Sequence, residues 1–389
     1  MASPRGPRPD FTSRKSFPGL HGNRFDNVIR VADLVQALPA PVIALLLLAL
    51  AALPGLARGS WLLGAVMWLF LLIDWALLET LPRLGRSFGP AKPSLLILAF
   101  MRLPFALLPV PYALLMQAIG TALVVYGFWV EPQRLGVTRQ TLRSPKLRAG
   151  RPLRVLHLGD LHAEIGLTPR ERRLMTLVRE CRPDLILFSG DFLNLSYLND
   201  PRAREVARTV LRELQAPLGA FAVSGSPAVD QPDGVALILA GLPNIRWLRD
   251  EKVTLEHAGQ RLELVGLTCT HKPFIDGPRL QTLLGAGPRD TFTLLLYHTP
   301  DLAPEAAAAG IDLQLSGHTH GGQVRLPLFG ALYAASLYGK RYEVGRLREG
   351  ALTLYVTRGV GLEGKGAPRV RFLCPPEIAL WELGGPDGA

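Results

Sequence analysis

The sequence predicts an α/β domain behind an N-terminal bundle of about four membrane-crossing helices, and three observations lead there. The first is composition. Of 389 residues, 48% are hydrophobic and 19% charged, with a mean hydropathy of +0.21, too apolar for a disordered chain and high for a wholly soluble one. The second is the placement of charge. Residues 1–150 hold 16 Lys and Arg against 6 Asp and Glu, and the rest hold 27 against 26. Basic residues beside apolar spans indicate a membrane before they indicate nucleic acid. The third is a change at Leu153 from long apolar stretches to short apolar runs ending in Gly, Asp or His. Cys181, Cys269 and Cys374 lie far apart with no C-x-x-C pair, which excludes a disulfide scaffold and a zinc ribbon.

In chain order, residues 38–57 are uncharged and about the length a span requires. Residues 61–81 follow, with Asp74 and Glu79 as their charges, and residues 94–130 carry only Arg102. As one helix the last stretch would be roughly 55 Å long at ~1.5 Å per residue, against a hydrocarbon core of about 30 Å. Pro109-Val110-Pro111 divides it in two, giving four spans. Three segments are basic: the tail (Arg5, Arg8, Arg14, Lys15, Arg24, Arg30), the second connection (Arg83, Arg86, Lys92) and the stretch after the fourth span (Arg134 to Arg154). Four spans put all three on one side, the cytoplasm. The expected division is a basic cytoplasmic tail (1–33), transmembrane helices (34–131), a basic linker (132–152), a cytoplasmic domain (153–383) and a disordered tail (384–389). Asp74 and Arg102 fall at matched depth, about 10 Å from the cytoplasmic ends of their spans at ~1.5 Å per residue, which predicts a mutual salt bridge.

The short runs lie at 154–162, 185–191, 220–225, 262–267, 292–300, 313–322, 352–359 and 378–383. Their length and content suit strands buried on both faces. Thr168-Pro169-Arg170-Glu171 supplies an N-cap, an N1 proline and an N3 glutamate for a helix to about Cys181. Asp200-Pro201 opens another, to about Gln215. Strands alternating with helices, followed by a strand-rich end, give the α/β layered class.

Four of these runs end in residue types that bind metal. Asp160 and His162 are two apart, Asp191 follows Gly190, His298 closes the fifth run, and His318 and His320 flank Thr319. Side chains at i and i+2 of an extended chain point the same way, so a D-x-H or H-x-H pair faces one point. Six carboxylate and imidazole groups suit Mn²⁺, Fe or Zn²⁺. His157, inside the first run, reads as a core residue.

Gly159-Asp160-Leu161-His162, Gly190-Asp191, His298 and Gly317-His318-Thr319-His320, in that order, resemble the motifs of the calcineurin-like metallophosphoesterases over roughly 153–383. SGHTHGGQ (316–323), TRG (357–359) and CPPEI (374–378) look like the family's bacterial membrane-anchored branch, which includes proteins similar to UDP-2,3-diacylglucosamine hydrolases. The resemblance implies a four-layer α/β/β/α sandwich with two divalent metal ions (Mn, Fe or Zn) between its sheets. It implies that Asp160, His162 and His320 hold one ion, that His298 and His318 hold the other, and that Asp191 bridges them. The one catalytic group it assigns is a metal-bound hydroxide attacking phosphorus in line. The implied substrate is a phosphate ester or pyrophosphate of a lipid or lipid precursor, at the cytoplasmic membrane. Nucleic acid is not an expected partner, because the basic stretch 134–154 lacks aromatics for base stacking and suits anionic lipid headgroups.

One motif departs. Where the family has Gly-Asn-His, this chain has Gly225-Ser226-Pro227. Ser226 is a poorer second-metal ligand than an amide oxygen, and Pro227 cannot shuttle a proton; loss of an acid–base group typically costs about 10²–10⁴-fold. His271 and Asp230 are the candidate substitutes. The alternative function is a catalytically weakened metal- and phosphate-binding sensor or scaffold.

Overall fold

The computed structural model describes residues 24–287 and 289–386, with side chains described from residue 31 onward. Most of the basic tail, including Arg5, Arg8, Arg14 and Lys15, therefore lies outside the described residues. The remainder of that tail is no independent unit, because helix α1 (Arg24–Ala37) begins inside it. Next come α2 (Ala40–Ala57), α3 (Trp61–Arg83), α4 (Lys92–Ala106) and α5 (Val110–Val124), the last continuing into a π-helical turn (Val125–Val130). The prolines set several boundaries. Pro39 precedes α2, and Pro109 precedes α5, where the sequence predicts the division. Ser60 caps α3 by accepting from the Leu63 amide.

Ile43, Leu47 and Ala51 of α2, Met67 and Leu71 of α3, and Leu95 and Ala99 of α4 recur every four residues and pack into one core, the stripe an amphipathic helix buries. Leu45, Leu46, Trp61, Leu69, Phe100 and Met101 face outward and are exposed. Among the described residues three helices are long and apolar enough to cross a membrane: Ala40–Ala57, Trp61–Arg83 and Val110–Gln133. Helix α4, at 15 residues, is shorter.

The second half begins earlier than the sequence predicts, because part of the basic linker is a strand, β1 (Gly136–Arg143). It leads into β2 (Leu153–Leu158), α6 (Pro169–Cys181), β3 (Leu185–Phe188), α7 (Pro201–Arg212), β4 (Ala220–Ala222), α8 (Pro232–Leu239) and β5 (Ile245–Trp247). Beyond these lie β6 (Glu251–His257), β7 (Gln260–Gly266), α9 (Pro273–Leu284), β8 (Phe292–Leu296), α10 (Ala303–Ala308) and β9 (Leu313–Ser316). A small hairpin, β10 (Arg325–Leu326) and β11 (Gly330–Ala331), precedes β12 (Gly345–Glu349), β13 (Leu352–Val356) and β14 (Glu377–Gly384). Gly384, read from the sequence as the start of a disordered tail, ends this last strand, and residues 387–389 lie outside the described ones.

Among the described residues the strands form two six-stranded sheets, ordered β1-β14-β2-β3-β4-β5 and β12-β13-β9-β8-β7-β6. Pairing is parallel along β2-β3-β4-β5 and β7-β8-β9-β13, and also between β1 and β14. The faces alternate with the period of two that a strand imposes. Leu153, Val155, Leu185, Leu187, Ala379 and Trp381 of the first sheet share a core with Leu262, Leu264, Leu294, Leu296, Leu313 and Leu315 of the second. The intervening residues Leu156, Leu158, Ile186 and Phe188 pack with Leu174, Leu177, Val206 and Val210 of α6 and α7. Val265, Leu295, Leu352 and Leu354 pack with Leu280, Ala303 and Ala306 of α9 and α10. Both expected helix starts are present: Thr168 and Glu171 form a capping box on α6, and Asp200 caps α7.

The N-terminal helical segment docks directly on this domain. The Phe88 amide donates to Glu164 Oε2 at 3.1 Å, and Tyr197 donates to the Phe88 carbonyl at 2.5 Å. Glu164 and Tyr197 lie on the loops after β2 and β3.

Candidate metal centre

Parallel strands send their carboxyl ends to one edge, where α/β sheets bind ligands. The loops after β2, β3 and β4 of the first sheet, and after β7, β8 and β9 of the second, meet there. All six predicted residues meet too. Asp160, His162, Asp191, His298 and His320 are buried and His318 is half-buried. Donor atoms of Asp160, His162 and His320 lie within 4.8 Å of one another, as do those of Asp160, Asp191 and His298.

The details fit divalent ions. His162 Nε2 and His320 Nε2 face each other at 3.0 Å, and the Nδ1 atom of each is buried without a hydrogen-bond partner among the described residues. Asp191 Oδ2 stands 3.5 Å from His162 Nε2 and 3.4 Å from His298 Nε2, so one carboxylate oxygen faces both histidine groups. His298 Nδ1 donates to the Ser189 carbonyl at 2.9 Å, which turns Nε2 toward the site. Both Asp160 oxygens accept from the His318 amide, at 2.9 and 3.1 Å.

Glycine lets the backbones come this close. Gly190 holds a φ of +96°, and a Cβ there would sit 2.3 Å from the Gly225 nitrogen. A Cβ on Gly225 would sit 2.1 Å from Asp191 Oδ1. The ligand-bearing residues are themselves strained: Asp160, His162, Asp191, His318 and His320 have φ between 42° and 72°, a left-handed region costing non-glycine residues about 1–3 kcal/mol each.

The electrostatics divide the imidazoles. Burial, with neighbouring imidazoles, pushes His318 and His320 well below the ordinary histidine range. Burial alone would also depress His298, but Asp191 and Asp160 raise it to about 9. Burial opposes the charge on Asp191, yet His298, His162 and His318 outweigh it and hold that carboxyl below its usual range. Asp160 is pushed up to about 6, chiefly by burial.

The departing motif is resolved in part. Ser226 Oγ lies 3.1 Å from His298 Nε2, 3.3 Å from His318 Nδ1 and 3.3 Å from Asp191 Oδ2, so it occupies the second group. Pro227 is exposed. Asp230 does not substitute: its oxygens accept from the amides of Asp191, Gly225 and Phe192 at 2.7, 2.7 and 3.1 Å, which holds the Asp191 loop in place. His271 does join the site. His157, as expected, is a core residue, bonded to Ser189 Oγ at 3.1 Å.

The structure adds a support that sequence reasoning missed. Arg371 is fully buried and donates to the carbonyls of Arg358, Gly359 and Gly361 at 2.8, 3.3 and 2.6 Å. Those glycines back onto the Asp160 loop, where the Gly361 amide donates to the Asp160 carbonyl at 2.6 Å.

Residues 153–322 match the calcineurin-like phosphoesterase family. The chain belongs to that family and is a metallophosphoesterase, a phosphoester hydrolase by class. It is 30% identical to the uncharacterized metallophosphoesterase YkuE of Bacillus subtilis over 268 residues, covering 66% of this chain and 88% of that protein. It is 30% identical to the phosphodiesterase YaeI of Escherichia coli over 270 residues, covering 66% and 92%. It is 28% identical to the UDP-2,3-diacylglucosamine pyrophosphatase LpxG of Chlamydia trachomatis over 313 residues, covering 66% and 91%.

Proposed function

We propose that this protein is a membrane-embedded, metal-dependent hydrolase of a phosphate ester or pyrophosphate carried by a lipid or lipid precursor. The observation that carries the lipid reading is the apolar hairpin beside the metal pocket. Leu328, Phe329, Leu332 and Tyr333 are exposed just beyond the turn His320–Gly322. The hairpin is rooted at the membrane side. Val324 bridges to Phe372, whose ring meets Tyr126 edge-on at 5.8 Å, and the Arg371 amide donates to the Gly127 carbonyl at 2.9 Å. A phosphorylated headgroup at the strand ends would thus have apolar side chains and the end of the last membrane helix beside its tails. The name of the chlamydial relative, a diacylglucosamine pyrophosphatase, agrees with that substrate class.

In this reading the fold is the four-layer α/β/β/α sandwich, and the phosphoesterase domain of 153–383 takes β1 as an added edge. Helix α4 pairs with α5 as a short fourth span, which keeps the basic segments and the domain on the cytoplasmic face. Asp160, His162 and His320 would hold one ion and His298 and His318 the other, with Asp191 shared between them and the Ser226 hydroxyl beside the second. Two divalent cations (Mn, Fe or Zn) supply Lewis-acid polarisation of the phosphoryl oxygens and an activated water. The chain's part is to fix both donor groups on strained, buried loops and to hold His318 and His320 neutral for binding.

The test is turnover by the full chain in mixed micelles. A diacylated sugar pyrophosphate should be hydrolysed faster than water-soluble bis(p-nitrophenyl) phosphate, and chelation should abolish both. Equal rates in micelles and in solution would discard the lipid assignment, and turnover that survives chelation would discard the metal.

A further inference from the structure

The geometry points to His271 as a ligand of the second ion, its imidazole taking the place of the family's asparagine amide and completing a three-histidine group with His298 and His318. This rests on the two-metal reading above and names a residue that the family's motifs leave out.

Three observations converge on it. Ligand atoms of His271, His298 and His318 all lie within 4.8 Å of one another. The ring of His271 is 4.7 Å from that of His318 and 6.1 Å from that of His298, while His298 and His318 are 5.0 Å apart. The topology explains the meeting: β7, β8 and β9 are adjacent and parallel, and each delivers one of the three histidines from its carboxyl end. The backbone adds a separate sign. His271 holds a φ of +60°, the same left-handed conformation as Asp160, His162, Asp191, His318 and His320. Strain of that kind persists where the surroundings fix a functional geometry.

The exchange is chemically coherent. The Ser226 hydroxyl reaches the group but is a poorer neutral ligand than an amide oxygen, and the Asp230 carboxylate is committed to backbone amides. An imidazole arriving from β7 replaces one neutral donor with another, so the charge of the site is unchanged. It also changes the donor from oxygen to nitrogen, which favours Zn²⁺ or Fe over Mn²⁺.

The experiment uses the full chain in detergent, stripped by chelator and titrated with Zn²⁺ or Mn²⁺, with bound metal counted by elemental analysis. Wild type should bind two Zn²⁺. His271→Ala should keep the first affinity and bind the second ion at least tenfold more weakly, and adding Ser226→Asn should recover most of that loss. Should His271→Ala fail to fold, His271→Asn decides: its second site should shift at least tenfold from Zn²⁺ toward Mn²⁺. An unchanged second affinity in His271→Ala, or an unchanged Zn²⁺/Mn²⁺ preference in His271→Asn, would overturn the assignment while leaving the two-metal reading intact. Wild type binding a single ion would remove both.

Discussion

The Arg102 guanidinium lies 2.7 Å from the Asp74 carboxylate, joining α4 to α3 in the interior of the N-terminal helices, with both side chains buried. Helix α5 closes the arrangement. Thr121 donates to Asp74 Oδ1 at 2.9 Å, and Arg102 Nη1 donates to the Gln117 carbonyl at 2.6 Å. Gly120 leaves room for the guanidinium, since a Cβ there would sit 2.6 Å from Arg102 Nη1. An unpaired charge at a helix centre costs about 2.5–3.5 kcal/mol on insertion scales, so each partner makes the other tolerable.

Asp74→Asn and Arg102→Gln should each lower the melting temperature in detergent, since breaking a buried pair costs about 3–5 kcal/mol. The double variant should recover part of that loss. Strictly additive losses across the cycle would show that the two charges are not coupled.

Asp191 faces both histidine groups, so Asp191→Ala should remove both ions and all turnover together. His298→Ala should weaken mainly the second. Metal analysis finding two ions on the Asp191 variant would contradict a bridging carboxylate.

Metal uptake should release protons and strengthen with pH. In the metal-free site His298 is raised to about 9, so it is charged at neutral pH and an incoming ion must displace its proton. Apparent affinity for the second ion should rise up to about pH 9 and then level off. The same raised value stabilises the metal-free fold below about pH 6.5, and that contribution fades as pH rises through 9. Calorimetry in buffers of different ionisation enthalpy measures the proton count; no proton release at pH 7 would contradict the charged His298.

Charging the hairpin separates surface from site. Leu328→Asp with Phe329→Asp should lower the rate on a micellar lipid substrate about tenfold or more and leave bis(p-nitrophenyl) phosphate hydrolysis within about twofold. Both side chains are exposed, so the fold should tolerate the change. Parallel loss of both rates would mean that the hairpin supports the pocket rather than the substrate.

The sequence was informative where burial and chemistry coincide. All eight short apolar runs contain strands, because a strand covered on both faces is apolar throughout. The edge strands β1, β5, β6 and β12 of the two six-stranded sheets escaped, because exposed residues alternate there with half-buried ones, as in Glu251–His257 and Gly345–Glu349. The Asp74–Arg102 pair was legible from depth alone. His271 could be named only alongside Asp230 as a candidate substitute, because it stands four residues beyond Leu267 with no D-x-H or H-x-H partner. Only the adjacency of β7 to β8 brings it to the site. Arg371 carries no local motif, since its role comes from carbonyls that only the fold gathers around it.

The pairing of β1 with β14 also bears on how the chain is made. Gly136, just past the membrane helices, pairs with Glu377 near the other end of the chain, and β14 also separates β1 from β2. Translation at about 5–20 residues per second leaves on the order of ten to fifty seconds between synthesis of the two strands. For that interval the first sheet lacks an interior strand, and β1 waits without its neighbour. A nascent chain halted before residue 377 would carry the complete N-terminal helices and every residue of the metal pocket, but no closed sheet to hold them together.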